Sequence, residues 1–242
     1  MSSSAAQRDI PPGIVFGRGD LPSSFDEGAV LLIDKPEGWT SFNVVKAVRK
    51  GTDTSKVGHA GTLDPMATGL LIVLVARPAT RLQEAFMHFP KAYEGEMRLG
   101  ESTPSHDRET EVQERKDISH LSFEDFEEVR EDFLGVIDQV PPMYSAVKIE
   151  GERLYEKARR GETVDRPPRQ VRVDTFDLLG WNAPVLEFRV ECSKGTYIRS
   201  LARDIGEALG VGAHLASLRR TAIGPYDVAN AWPLDALRSA LN

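Results

Sequence analysis

Val171-Arg172-Val173-Asp174-Thr175-Phe176-Asp177-Leu178-Leu179 and Leu186-Glu187-Phe188-Arg189-Val190-Glu191-Cys192 are two stretches in which apolar and polar residues alternate, the period of a half-buried β-strand. In the second, Leu186, Phe188, Val190 and Cys192 share one face, which assigns Cys192 to the core. A turn at Ser193-Lys194-Gly195 then leads into a helical pattern from about Tyr197 to Leu209, stopped by Gly210. Two strands in succession before a helix break the strict βαβ alternation of a parallel sheet. The expected class is therefore α+β, a central mixed or antiparallel sheet flanked by helices and loops.

The segments upstream fit this class. Ala29 to Ile33 reads as a short buried strand, closed by a turn at Asp34-Lys35-Pro36-Glu37-Gly38. Thr40 caps a predicted helix with Phe42, Val45 and Val48 on its apolar face and Gly51 at its end. Leu70 to Val75 reads as a strand, Leu82, Ala85 and Phe86 mark a short helix, and Lys91 to Leu99 alternates with Tyr93, Met97 and Leu99 on one side. Ser122 caps a helix whose apolar face is Phe123, Phe126, Val129 and Phe133, with Gly135 as its stop. Val140 to Arg169 has a different character: Pro141-Pro142, a hairpin turn at Glu150-Gly151, and a basic helix Leu154 to Arg160, a segment able to project from the body. Met1 to Gly28, rich in Ser, Pro, Gly and Asp, reads as an irregular arm.

Bulk properties narrow the function classes. A chain of 242 residues, 40% hydrophobic and 28% charged, has the composition of a globular protein with a sizeable core. No stretch approaches the ~20 apolar residues that span a bilayer, and Met1 to Gly13 lacks a signal-peptide apolar region, so a cytoplasmic protein with no membrane contact is expected. The single cysteine excludes an intrachain disulfide and cysteine-rich metal sites. The net charge of −7 is unevenly spread. Glu101 to Asp138 holds thirteen acids against four bases, whereas Met143 to Arg220 holds fourteen bases against eleven acids.

The segment Gly58-His59-Ala60-Gly61-Thr62-Leu63-Asp64-Pro65, followed by Ala67-Thr68-Gly69, packs glycines, a proline and two titratable groups into one loop. Such a loop lets backbone approach a ligand closely, or is simply a glycine-rich turn. Its spacing matches neither a dinucleotide fingerprint nor a phosphate-binding P-loop. The other histidines are scattered, so His59 and Asp64 do not form a metal site, and no nucleophile elbow is present.

In this loop and five other blocks the chain resembles the bacterial tRNA pseudouridine-55 synthases of the TruB type. The blocks are Leu32-Ile33-Asp34-Lys35-Pro36, Lys91-Ala92-Tyr93, Pro141-Pro142-Met143-Tyr144-Ser145-Ala146-Val147-Lys148, Cys192-Ser193-Lys194-Gly195-Thr196-Tyr197-Ile198-Arg199, and Gly212-Ala213-His214 through Leu218-Arg219-Arg220. They stand in family order, across roughly Ala29 to Val228. The resemblance implies the pseudouridine synthase fold, and isomerisation of uridine to pseudouridine at position 55 in the tRNA T loop, with the target base flipped out.

The resemblance also implies roles. Asp64 matches the catalytic aspartate and Arg199 the arginine that pairs with it; a buried carboxylate needs such a cation to stay ionised. Tyr93 matches the tyrosine that stacks on the target base, although alternation alone fits a core tyrosine equally well. Tyr197 matches a second active-site tyrosine, or on periodicity anchors its helix. Leu218 matches an apolar pocket residue. His59 matches the histidine that fills the gap left by the flipped uridine. Lys148, Arg153, Lys157, Arg159, Arg160, Arg219 and Arg220 are the bases set against RNA phosphates. The expected layout is an arm over 1–28 and a catalytic domain over 29–242, its projection at about 140–169, without the C-terminal PUA domain of longer members. No cofactor or metal is expected, tRNA is the partner, and no obligatory protein partner is needed. Two alternatives are a guide-RNA-dependent catalytic subunit and a non-catalytic RNA-binding or RNA-folding protein.

Overall fold

The computed structural model describes residues 10–145, 148–149, 151–162 and 164–241, with the backbone alone at 148, 149, 153, 155 and 159. From the N-terminus the elements are β1 (Val15–Phe16), β2 (Ala29–Lys35), α1 (Ser41–Gly51), β3 (Val57–Ala60), β4 (Thr68–Val75), α2 (Ala76–Thr80), α3 (Gln83–His88) and β5 (Lys91–Leu99). There follow β6 (Glu101–Ser102), β7 (Glu114–Arg115), α4 (Phe123–Glu131), β8 (Gly135–Gln139), β9 (Lys148–Ile149), β10 (Glu152–Arg153), α5 (Leu154–Arg159), β11 (Arg169–Asn182), β12 (Val185–Cys192) and α6 (Ile198–Ala208). The chain closes with β13 (Ala213–Ile223), β14 (Tyr226–Asp227), a 3₁₀ turn (Val228–Asn230), β15 (Trp232–Pro233) and α7 (Leu234–Ala240). Two compact units result, Met1–Glu94 with Leu218–Asn242, and Gly95–Ser217. The architecture is α+β, as the strand pattern predicts.

The first unit is organised around β4. Its run from Gly69 to Val75 is buried throughout, which is why its sequence is almost continuously apolar. β2 pairs with it antiparallel from Ala29↔Val75 to Lys35↔Gly69, β3 antiparallel at its far end, and β13 parallel at Arg219↔Thr68 and Arg220↔Gly69. Period two then sorts the side chains. Leu71, Val73 and Val75 pack with Val44, Val45 and Val48 of α1 and Leu234 and Leu237 of α7. Leu70, Ile72 and Leu74 pack with Ala79, Phe86 and Phe89 on the other side. The arm is less irregular than its composition suggests: β1 pairs parallel with β2, and Ile10, Ile14, Val15, Phe16, Leu21 and Phe25 pack against the two cores.

In the second unit β11 lies between β12 and β8, antiparallel to both, with Phe176 and Phe188 edge to face at 5.9 Å. Cys192 is buried as expected. Helix α4 has the predicted Ser122 cap, completed by Asp125 as a capping box. It ends at Glu131, and Gly135 opens the strand β8 instead of closing the helix. A second correction concerns Phe42, which faces solvent at 56% exposure while Val44 takes the core position. In the Val140 to Arg169 segment β9 pairs antiparallel with β10 around Gly151, and α5 follows.

Candidate active site

The loop carrying Asp64 is fastened at several points, all within the first unit. Lys35 ends β2 in register with Leu31 and Ile33, and period two therefore buries it fully. Its ammonium donates to the carbonyls of Pro36 (3.0 Å), Trp39 (2.6 Å) and Pro65 (3.3 Å). Ser41, in the first turn of α1, accepts from the Leu63 N–H at 2.9 Å and donates to the Leu63 carbonyl at 3.1 Å. The Gly38 N–H donates to Pro65 O, and the Ala67 N–H to Asp64 O. Asp64 is thus flanked on both sides by residues with fixed backbone, and its side chain is half-buried.

Arg220 completes this scaffold. It is 1% exposed and donates to Leu70 O (2.7 Å), Gly61 O (3.1 Å) and Thr62 O (3.5 Å). The expectation that Arg220 faces RNA phosphates is corrected: its guanidinium is buried and spent on backbone carbonyls of β4 and of the Asp64 loop. Gly69 makes room for it. A Cβ there would stand 2.3 Å from Arg220 O, and the residue's φ of +99° favours glycine. Arg219, its neighbour, points the other way and holds Asp34 through two bonds of 3.0 and 2.8 Å while 41% of its side chain stays exposed. Leu218 and Tyr93 are both buried.

His59 sits at the end of β3, its ring half-buried and its Nδ1 without a hydrogen-bond partner among the described residues. Burial first, and the Arg220 guanidinium second, hold its pKa below the ordinary histidine value. The ring is therefore neutral near pH 7, a planar group suited to stacking more than to carrying charge.

In the second unit Tyr197 is the N-cap of α6 and Arg199 lies in that helix's first turn. Arg199 is 5% exposed; it donates to Ser105 O (3.1 Å) and Tyr144 O (2.8 Å) and stands 3.5 Å from the buried carboxylate of Asp107. Tyr197 has no side-chain cap of its own. Gln139, 1% exposed, instead holds this residue's own backbone: its Oε1 accepts from the Tyr197 N–H at 2.7 Å and its Nε2 donates to the Tyr197 carbonyl at 3.1 Å.

Sequence reading missed Lys35, Ser41, Asp107 and Gln139. Only Lys35 leaves a signal, in the period-two register that places a lysine among core residues. Of the bases assigned to phosphates, Arg160 is exposed and paired with Glu152 (2.5 Å) and Glu162 (2.7 Å), and Lys157 is buried. The side chains of Lys148, Arg153 and Arg159 lie outside the described residues. Among the described residues no group of three or more histidines, cysteines or carboxylates could hold a metal ion, and no helix is long and apolar enough to cross a membrane.

Comparison with known proteins gives these arrangements a lineage. Residues 49–198 match the TruB family pseudouridylate synthase N-terminal domain, and residues 199–242 the tRNA pseudouridylate synthase B C-terminal domain. The chain is 50% identical over 216 residues to tRNA pseudouridine synthase B of Thermobifida fusca, covering 86% of this chain and 73% of that one. It is 46% identical over 207 residues to tRNA pseudouridine synthase B of Phocaeicola vulgatus, covering 83% and 88% respectively. A solved chain from a Cbf5-Nop10-Gar1 complex superposes with a TM-score of 0.70 at 31% identity, over 96% of this chain and 60% of that one. With both of its parts matched and relatives this similar along most of their length, the chain belongs to the TruB family of pseudouridylate synthases.

Proposed function

We propose that this enzyme isomerises uridine to pseudouridine at position 55 in the T loop of tRNA. The observation that carries the reading is the Asp64 loop, pinned by Lys35, Ser41 and Arg220, in a chain half identical to a tRNA pseudouridine synthase B. In the rearrangement the C1′–N1 bond of the nucleoside breaks and a C1′–C5 bond forms. C5 loses a proton and N1 gains one, so the chemistry is redox-neutral and calls for no external group donor. Asp64 supplies the catalytic carboxylate and Arg199 the cation that keeps a carboxylate ionised away from water. Tyr93 stacks on the flipped base, Tyr197 serves as the second catalytic-site tyrosine, and Leu218 gives the pocket an apolar wall. His59, neutral and planar, takes the space the uridine leaves, recovering part of the few kcal/mol that flipping costs. Arg219 and Arg160, each at least partly exposed and each held by carboxylates, are the bases among those described that a phosphate could reach by displacing an acid.

Asp64→Asn tests the core of this reading. The change keeps shape and removes the charge, so pseudouridine formation in a T-stem-loop transcript should vanish. RNA binding should stay within about tenfold of the parent, because phosphates and loop shape hold the RNA. Product formed by the variant at a rate within about a hundredfold of the parent would remove Asp64 from the mechanism. The likeness to a solved chain from a three-protein assembly raises the guide-RNA-dependent alternative. Parent activity on the bare transcript, with no added RNA or protein, separates the stand-alone enzyme from it.

A further inference from the structure

Gly38, Trp39, Asn43, Lys46, Ala47 and Lys50 line an open groove of about 530 Å³ on the first unit, along the outer face of α1. Phe42 lies on the same helix, one helical turn before the lining residue Lys46. This large aromatic is 56% exposed, and the Lys46 ammonium stands 4.8 Å from its ring centroid. Helix α1 contains no Asp or Glu and ends in Arg49 and Lys50, an acid-free face in a chain of net charge −7. Arg238 lies 5.9 Å from the Trp39 ring centroid and is paired with the exposed Asp235 at 3.3 Å, so the net positive charge beside the groove is that of the lysines. The groove is also tied to the Asp64 loop. Gly38 N–H donates to Pro65 O at 2.9 Å, and the Ser41 hydroxyl is bonded to both backbone groups of Leu63.

An exposed phenylalanine beside two lysines, with no acid lining the groove, has the composition of a single-strand nucleic-acid surface: a ring for a base, ammonium groups for the backbone. We propose that this groove binds a strand of the substrate RNA outside the flipped nucleotide, with Phe42 stacking on a base and Lys46 and Lys50 meeting phosphates. The inference rests on RNA being the substrate. It extends the RNA contact from the Asp64 loop along α1, whose eleven residues span about 16 Å at 1.5 Å per residue, room for two to three nucleotides.

The test measures binding of an unmodified full-length tRNA transcript as a function of salt. Lys46→Gln with Lys50→Gln should weaken binding and lower the slope of log affinity against log salt by about 1.4, since each lost phosphate contact with a single strand removes about 0.7. Phe42→Ala should weaken binding about tenfold, within the range for a lost stacked base, and leave the slope unchanged. Exposed residues carry these changes, so melting should not move. Arg18→Gln with Lys56→Gln, the same charge change at two exposed positions outside the groove, should leave both quantities alone. Parent-like affinity and slope in the Lys46/Lys50 variant would overturn the proposal. So would an equal loss in the Arg18/Lys56 control, which would show a non-local charge effect, or a loss confined to self-association in sedimentation, which would make the face a protein interface. A parent that binds the transcript yet forms no pseudouridine would sink the catalytic reading and leave this one standing.

Discussion

His106 stands in sequence between Ser105 and Asp107, two residues that contact Arg199 on the second unit, and its backbone has a φ of +60°. Burial, with Arg203, Arg199 and Arg166 adding repulsion, pushes its pKa down to about 4, so the imidazole is neutral where the enzyme works. A histidine whose folded pKa lies below its unfolded value of about 6.5 binds fewer protons folded than unfolded between those limits. Folding stability then falls as pH drops from about 6.5 towards 4, by on the order of 3 kcal/mol for this group alone. His106→Asn, a residue that tolerates positive φ, should remove that share. The difference in chemical-denaturation stability between variant and parent is expected to grow in the variant's favour below pH 6 and to be flat above 7; a difference independent of pH would show that His106 does not titrate under this repulsion. At this scale residue type misleads whenever burial overrides it. Arg220 reads as a surface base and is a core clamp, while Phe42 reads as core and lies in solvent. Asp64 stands in a loop whose three glycines and proline sequence displays directly, yet that composition alone fits a plain glycine-rich turn, and the role assigned to Asp64 comes from the family resemblance.

The element that most affects the candidate site without belonging to it is β8. Its last residue, Gln139, reaches both backbone groups of Tyr197, and the next carbonyl, Val140 O, accepts from Ser200 of α6 at 2.9 Å. These bonds fix the start of the helix that carries Tyr197 and Arg199. Gln139→Met preserves volume and removes both side-chain bonds. The single-turnover rate is expected to fall about tenfold or more as Tyr197 gains freedom, with RNA affinity within about threefold of the parent. Equal losses in rate and affinity would mark Gln139 as a folding residue only, and an unchanged rate would show that the bonds do not position Tyr197. Sequence gives no warning of β8, because Gly135-Val136-Ile137-Asp138-Gln139 is short and directly follows a helix with its own apolar period. β13 escapes for a different reason. Its alternation is interrupted by His214, Arg219 and Arg220, and two of those, His214 and Arg220, are buried through hydrogen bonds that no pattern of apolar residues encodes. The strands β11 and β12 are readable in sequence since their alternating polar residues are exposed, and β5 since Tyr93, Met97 and Leu99 are buried while Glu94, Glu96 and Arg98 between them are half-buried.

At the scale of the whole molecule, a chain of net charge −7 that binds a polyanion has to keep its acids away from the bound RNA or cancel them. The Glu101 to Asp138 stretch concentrates acids, some held by arginine within the second unit, as Glu101 is by Arg98 and Arg115 at 3.0 and 3.1 Å. The Val140 to Arg169 segment shows the opposite balance. Arg160 is shared between Glu152 and Glu162, two carboxylates on one guanidinium, and both are held below the usual carboxylate range chiefly by their hydrogen bonds to it. An RNA phosphate that approaches Arg160 must compete with these acids, whose own charges repel it. Glu152→Gln with Glu162→Gln removes the competition and leaves Arg160 in place. Exposed pairs of this kind contribute little to stability, so melting should hardly change. Affinity for the T-stem-loop transcript should rise at low salt, and the slope of log affinity against log salt should steepen by about one as Arg160 takes up a phosphate contact. Adding Arg160→Gln to the double variant should return the slope to the parent's. If the double variant binds with the parent's affinity and slope, Arg160 does not meet the RNA, and the binding charge of the segment lies on its other bases.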